Sequence, residues 1–423
     1  MHDLKSLRLN AAPLIQSRER RNGDASAVEH LLKLDQEHRE AQTRIDELRQ
    51  ERNTASKAIG DLKKSGQDAN AQMEAVRELG QTLKSLEERM QVCHEEREAI
   101  LLSLPNILDE SVPTGQSEDD NVFVRDSGPI TELGFEPKAH DEIGVALDIL
   151  DFERAAKMAG ARFVVKKGWG AKLERALAAF FLDQNGQRGY TEILPPLLVN
   201  RETMTANGNL PKFEEDLFGV NFRDFFLVPT AEVPLTNLYR GEIMDAEALP
   251  QYLTAYTPCF RAEAGAAGRD TRGIIRLHQF SKVELVKIVE PENSFHELEK
   301  MVADAEHLLT LLGLPYRVML LSSGDTGFNA AETYDLEVWF PSQGKYREVS
   351  SCSNCTDFQS RRGMTRYKPD AAGPTVFPHT LNGSGLPIGR TLAAILENYQ
   401  EADGSVRIPD VLKPYLGGVE IIA

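Results

Sequence analysis

Between Leu31 and Leu62 a seam recurs at alternating spacings of four and three: Leu34, His38, Ala41, Ile45, Leu48, Arg52, Ala55, Ile59 and Leu62. That is a heptad pattern with polar interruptions. After a short polar stretch, residues 63–70, a second seam follows at Val76, Leu79, Leu83, Leu86, Met90, Cys93, Arg97, Ile100 and Leu104, and Pro105 stops it. The pattern predicts helices over about 31–64 and 71–104, each roughly 48 Å long at 1.5 Å per residue. Joined by a short turn, they must fold back on one another to hide their seams, giving a long antiparallel coiled-coil hairpin. The seam is narrow enough that no third helix is needed to cover it, so the arm is expected to project into solvent. Most such hairpins serve protein contacts or spacing. The first helix is the more basic of the two and the better candidate for touching RNA.

Beyond the arm the pattern changes. Residues 106–121 are acidic and polar, with Pro113, Gly115 and the run Glu118-Asp119-Asp120, and read as a linker. Further on, short β-rich segments at 163–166, 225–228, 316–321 and 334–339 alternate irregularly with helical stretches at 172–185 and 292–312. No βαβ beat is kept, so the class expected is α+β with a mixed antiparallel sheet. The domain reading is an N-terminal domain over 1–108 carrying the arm, a linker over 109–121 and a body over 122–423. No Walker A sequence and no G-x-G-x-x-G after a strand occurs, so the common nucleotide folds are excluded.

Composition adds limits rather than direction. In 423 residues, 41% are hydrophobic and 27% charged, an ordinary globular balance whose length suggests two domains. No run of about 18 apolar residues and no basic-plus-apolar leader is seen, so neither a membrane nor secretion is expected and the cytoplasm is the default. Four cysteines agree with a reducing compartment. A net charge of −17 argues against broad attraction to phosphates, so an RNA partner would need a local basic surface.

Candidate chemistry concentrates between residues 257 and 284, where Arg261, Glu263, Arg276, Phe280 and Glu284 surround a Gly-rich turn. Residues 256–261 and 274–284 read as two strands of an antiparallel hairpin. On the second strand Arg276, Phe280 and Glu284 then share a face, offering a cation, an aromatic plate and a carboxylate. Such a surface suits a nucleotide lying flat, its purine on the ring and a phosphate on the guanidinium.

Phe260-Arg261-Ala262-Glu263 with Arg276-Leu277-His278-Gln279-Phe280 resembles motif 2 of the class II aminoacyl-tRNA synthetases. Residues 188–198, with Pro195-Pro196, resemble motif 1, and residues 381–399, in which Gly389-Arg390 opens a helix, resemble motif 3. Thr230-Ala231-Glu232, Glu284 and Ser384 are similar to the serine site of seryl-tRNA synthetases, and Glu348-Val349-Ser350-Ser351 looks like that family's ATP and metal segment.

The resemblance implies a class II antiparallel-sheet catalytic domain behind a tRNA-binding arm, acting as a homodimer. It implies ATP-binding roles for Arg261, Ala262, Glu263, Arg276, Phe280, Glu348, Val349, Ser350, Ser351 and Arg390. Arg261 and Arg390 are the catalytic cations. Thr230, Ala231, Glu232, Arg261, Glu284, Asn382 and Ser384 are expected to hold L-serine. Glu348 and Ser351 are the expected Mg²⁺ ligands. The implied reaction forms seryl-adenylate from serine and ATP and charges tRNA(Ser), and also tRNA(Sec) where a cell has one. A synthetase-like ligase loading a carrier protein is the alternative, and a non-catalytic RNA-binding scaffold a further one.

Cys352 and Cys355 form a C-x-x-C with no second pair, since Cys93 lies in the arm seam and Cys259 stands alone, so no zinc is expected. His278 shares parity with Phe280 and is open to lining the site. His140 and His379 belong to no ligand cluster and read as structural.

Overall fold

The computed structural model describes residues 1–130, 132–265, 272–370 and 373–423; the tip of the Gly-rich turn, 266–271, lies outside them. The chain divides into two compact units, one of His2–Glu19 and Gly23–Leu104, the other of Met1, Arg20–Asn22 and Pro105–Ala423.

In the N-terminal unit, α1 (Ser26–Lys64) and α2 (Asn70–Ser103) pair antiparallel, as the two seams require. Ile45, Leu48 and Leu83 form the buried contact, flanked by Leu79, Leu86 and Met90. Arg49 of α1 meets Glu87 of α2 at 2.8 Å. The polar seam positions also have a purpose. His38 and His94 lie 6.1 Å apart, and Arg97 reaches buried Asp35 at 3.6 Å. Two short helices, Leu4–Leu9 and Ala12–Arg20, were not foreseen, and from the first of them Arg8 grips Asp35 at 2.6 and 2.8 Å.

The larger unit is built on an eight-stranded sheet. Its strands are β1 (Val122–Asp126), β2 (Thr191–Glu192), β3 (Gln251–Phe260), β4 (Gln279–Val289), β5 (Tyr316–Leu320), β6 (Glu332–Phe340), β7 (Lys345–Asn354) and β8 (His379–Pro387). They run β1-β5-β6-β7-β8-β4-β3-β2, antiparallel except for the edge pair β2–β3. Three helices, α4 (Trp169–Gln187), α5 (Ser294–Leu311) and α6 (Ile388–Asn398), pack on the sheet, and Phe180, Phe181, Met301, Leu308, Leu336 and Ile395 fill the layer between. A seven-residue helix, α3 (His140–Ala146), packs on α6. The expected α+β class is therefore what forms.

Alternation explains β4. Val283 and Leu285 join the core with the helices, which leaves Phe280, Lys282 and Glu284 on the opposite face. Glycines 383 and 385 of β8, which as part of motif 3 suggest close approach to a ligand, serve the core instead. A Cβ on Gly383 would stand 2.8 Å from the Cys352 sulfur and 2.9 Å from that of Met301.

The segment 109–121 is tied to the body rather than loose. Asp109 N–H donates to Ala331 O at 2.9 Å, and Ser323 N–H to Pro113 O at 2.8 Å. The two compact units part after Leu104, slightly earlier than the boundary at 108 read from the sequence.

Candidate active site

The second strand of the motif 2 hairpin begins at Gln279, not at 274; residues 272–277 turn back toward it, and His278 O, just before the strand, accepts from Arg261 N–H at 2.9 Å. Arg276 therefore owes its place to this turn rather than to strand parity. His278, one residue before the strand, is likewise freed from parity. Its Nδ1 lies 3.0 Å from Arg261 O and its ring packs beside Phe163 and Phe218, so it supports the backbone of Arg261 from below.

Two adjoining cavities lie on the face of β4 away from the helices. The first, of about 180 Å³, is lined by Arg261, Glu263, Arg276, Phe280, Lys282, Glu348, Val349, Ser384 and Arg390 among others. Arg261 sits with its guanidinium carbon 5.1 Å from the centre of the Phe280 ring, and its Nε donates to Pro229 O at 3.2 Å. Arg276 Nη1 meets Glu263 Oε2 at 2.6 Å. Glu263 holds a φ of +54°, a left-handed backbone that a non-glycine residue rarely adopts and that is concentrated at functional positions. Ala262 between them donates its N–H to Asp216 O.

Arg390, in the first turn of α6, bridges the two halves of the cleft. Its Nη1 donates to Glu348 O at 2.9 Å and lies 3.3 Å from Glu348 Oε1, while Nε donates to Ile275 O at 3.2 Å. The surrounding walls push the Glu348 carboxyl up, but Arg390, Arg261 and Lys282 outweigh that and hold it below its ordinary range.

The second cavity, of about 840 Å³, shares Arg276, Glu348 and Arg390 with the first and adds Asp335, Glu337 and Ser351. Glu348 and Ser351 are three apart and should face opposite ways in a regular strand. They do not, because β7 slips register against β6: Ser350 pairs with Leu336 and Glu348 with Glu337, leaving Val349 as the extra residue. The bulge brings Glu348, Ser351 and Asp335, the partner of Ser351, onto one face. Ser350 consequently points away, donating its hydroxyl to Ser384 O at 2.6 Å, so any contribution it makes to a nucleotide is through its backbone.

Asp335 went unnoticed in the sequence. Its Oδ1 is enclosed yet has no hydrogen-bond partner, and burial together with neighbouring Glu348 pushes its carboxyl well above the ordinary range. An enclosed carboxylate oxygen without a donor, beside a second carboxylate and a hydroxyl, is the donor set of a hard cation such as Mg²⁺.

Deeper in, Glu284 and Ser384 are direct cross-strand partners on β4 and β8. Glu284 is 2% exposed, accepts from the Thr230 hydroxyl at 2.9 Å and forms an ion pair with Lys282, a second residue that the sequence did not single out. Glu232 stands nearby, its Oε1 accepting from Gln359 at 2.7 Å and Asn207 at 3.2 Å. Burial first, then the charge of Glu284, raises its carboxyl. Ala231 is fully buried and contributes packing beside Val286. Asn382 turns its amide toward the Cys355 sulfur at 3.3 Å, on the Glu232 side of the pocket. The pair Cys352 and Cys355 is buried, and burial pushes the Cys352 thiol up to about 12.

The site thus joins an aromatic and arginine-lined cleft to a small acidic pocket, and the chain that carries it is similar to known proteins over its full length. Residues 1–108 match the seryl-tRNA synthetase N-terminal domain, and residues 214–399 match the tRNA synthetase class II core domain (G, H, P, S and T). A serine–tRNA ligase of Syntrophomonas wolfei is 56% identical over 100% of this chain and 99% of its own. The chain belongs to the seryl-tRNA synthetase family. It is a class II aminoacyl-tRNA synthetase by the same evidence. A second serine–tRNA ligase, from Desulfitobacterium hafniense, is 54% identical over 99% of both chains. Among solved structures, the seryl-tRNA synthetase of Pyrococcus horikoshii complexed with ATP aligns with a TM-score of 0.92 at 38% identity, covering 100% of this chain and 99% of that one. The cytoplasmic serine–tRNA ligase of Naegleria fowleri in complex with AMP aligns with a TM-score of 0.86 at 30% identity, over 98% and 96% of the two chains. Because these matches include the arm, the carrier-protein alternative is not favoured.

Proposed function

We propose that the cleft activates L-serine with ATP and then transfers the seryl group to tRNA(Ser). The observation that carries this reading is the junction of the two pockets. The Thr230, Glu284 and Ser384 cluster opens beside Arg261, so an amino acid held by its hydroxyl and ammonium presents its carboxylate to the cation that also faces the nucleotide cleft.

Phe280 carries the purine face and Glu263 its amino group, with Arg276 and Arg390 on the outer phosphates. Glu232 receives the ammonium through the oxygen not engaged by Gln359 and Asn207. Glu348 and Ser351, with Asp335, would hold Mg²⁺, which supplies neutralising charge to the phosphates when bound. Arg261 orients the serine carboxylate for in-line attack on the α-phosphorus, where the P–O bond to pyrophosphate breaks as the acyl bond to phosphorus forms. Positioning and charge neutralisation suffice, and no side-chain nucleophile is needed. The terminal ribose hydroxyl of the tRNA then attacks the activated carbonyl and AMP departs. A tRNA(Sec) sharing the shape of tRNA(Ser) is a further substrate. The proposed site of action is the cytoplasm, where its tRNA substrate is used; among the described residues no helix is long and apolar enough to cross a membrane. A homodimer formed at motif 1 is supported by Leu194, 91% exposed.

The test is ATP–pyrophosphate exchange with each amino acid in turn. Serine alone should drive it, with alanine weaker by about 10⁴-fold because it leaves buried polar groups unpaired. Equal exchange with alanine would remove the hydroxyl-binding assignment.

A further inference from the structure

The motif 2 turn re-enters the sheet through a clamp that none of its own residues supplies. His140 and Glu397 are almost fully buried, and His140 Nδ1 lies 2.8 Å from Glu397 Oε1. The carboxylate also accepts N–H bonds from His140 at 3.1 Å and, on its other oxygen, from Ser342 at 3.1 Å. On the far side of the ring, Ile274 N–H points at Nε2, 3.2 Å away. An amide can only donate, so Nε2 is bare, Nδ1 carries the proton to Glu397, and the ring is neutral. Gly273 makes the approach possible: at its φ of +70° a Cβ would fall 2.0 Å from Nε2. Arg272 adds surface pairs to Asp141 at 3.0 Å and Glu142 at 3.2 Å in the first turn of α3.

On helix α6, Glu397 lies seven residues, two turns, after Arg390, so both project from one face. Residues 274 and 275 are therefore tied to the same helix twice, by Ile275 O to Arg390 and by Ile274 N–H through His140 to Glu397. The next residue is Arg276.

We propose that His140, oriented by Glu397, is a positioning residue for ATP: it holds the return limb of the motif 2 turn so that Arg276 and Arg390 meet the phosphates together. This deepens the proposed function and rests on it for the identity of the nucleotide. Two variants divide the ring. His140→Asn keeps an N–H for Glu397, so the buried carboxylate stays paired, but is too short to accept from Ile274; His140→Gln extends an oxygen to the Nε2 position.

The measurements are calorimetric binding of ATP without amino acid, KM values for ATP and serine in exchange, and melting temperature, all on the full chain. Losing one hydrogen bond to the limb should weaken ATP binding and raise its KM about five- to tenfold in His140→Asn, with KM for serine unchanged and His140→Gln close to wild type. Wild-type ATP affinity in His140→Asn overturns the clamp while leaving the serine reading intact. Wild-type binding of ATP with no serine-dependent exchange removes the serine reading and leaves the clamp standing. If both variants fail to fold, or both shift the two substrates alike with a lower melting temperature, the pair is only structural and the proposal falls.

Discussion

At the scale of single residues, the pocket proposed to hold serine contains two carboxylates in different electrostatic states. Glu284 is paired with Lys282 and hydrogen-bonded by Thr230, whereas Glu232 is enclosed with neutral amides and raised by burial. Replacing Glu284 by alanine leaves Lys282 as a nearly buried, unpaired cation as well as removing the hydroxyl partner. A hydrogen bond to a charged group contributes about 1.5–3 kcal/mol, so serine-dependent exchange should fall about 10²-fold in kcat/KM for Glu284→Ala. Near-normal exchange would show that this carboxylate does not bind substrate. Glu232 makes a prediction about pH. It must be ionised to hold an ammonium, and its raised pKa means that it protonates at a higher pH than an ordinary glutamate. Affinity for serine should therefore weaken as pH falls, beginning at a higher pH than an ordinary glutamate would set, with Glu232→Gln weaker and flat over the same range. A wild-type KM for serine that does not rise on acidification would remove the assignment.

Elements decide which of these residues can meet. Strand alternation foretold that Phe280 and Glu284 share a face, because parity is local and needs only an extended chain. It misplaced Arg276, since no periodicity in the sequence marks where pairing begins. The bulge at Val349 was invisible for a related reason: an extra residue is a property of two strands, and only pairing with Leu336 and Glu337 reveals it. Resemblance supplied Glu348 and Ser351, but the bulge explains why residues three apart act together and adds Asp335. The arm shows a similar division. Its seams were plain from the heptads, yet the reason for polar positions within them is Asp35, which accepts from Arg8 and Arg39 and lies beside Arg97. Arg8 above all holds the Asp35 carboxyl below its ordinary range. Asp35→Ala should cost about 3 kcal/mol, the low end for a broken buried pair because Arg8 and Arg39 remain partly exposed. Amide hydrogen exchange across both arm helices of the full chain would register it. The pH sign follows from the depressed value. The contribution is complete above the unfolded aspartate pKa of about 3.9 and is lost as pH falls through the folded one, so arm protection should fade only in acid. Unchanged protection in Asp35→Ala would show the carboxylate to be incidental.

For the whole molecule, two compact units predict separable activities. Residues 49 and 83 lie near one another across the seam, so excising 49–83 and closing the cut with a short Gly-rich turn keeps the base of the arm paired. Serine-dependent exchange should be unchanged in this variant, while tRNA charging should fall to background. Retained charging would mean that the arm is not how tRNA is held. From the sequence alone came the class of fold, the arm, the order of the motifs and the reaction they imply, because heptads, parity and short motifs are written in neighbouring residues. Only tertiary structure decided that Asp335 joins Glu348 and that His140 reaches Ile274. Each of these contacts joins positions far apart or on different strands, and becomes a contact only when the sheet has set its register and the helices have closed over it.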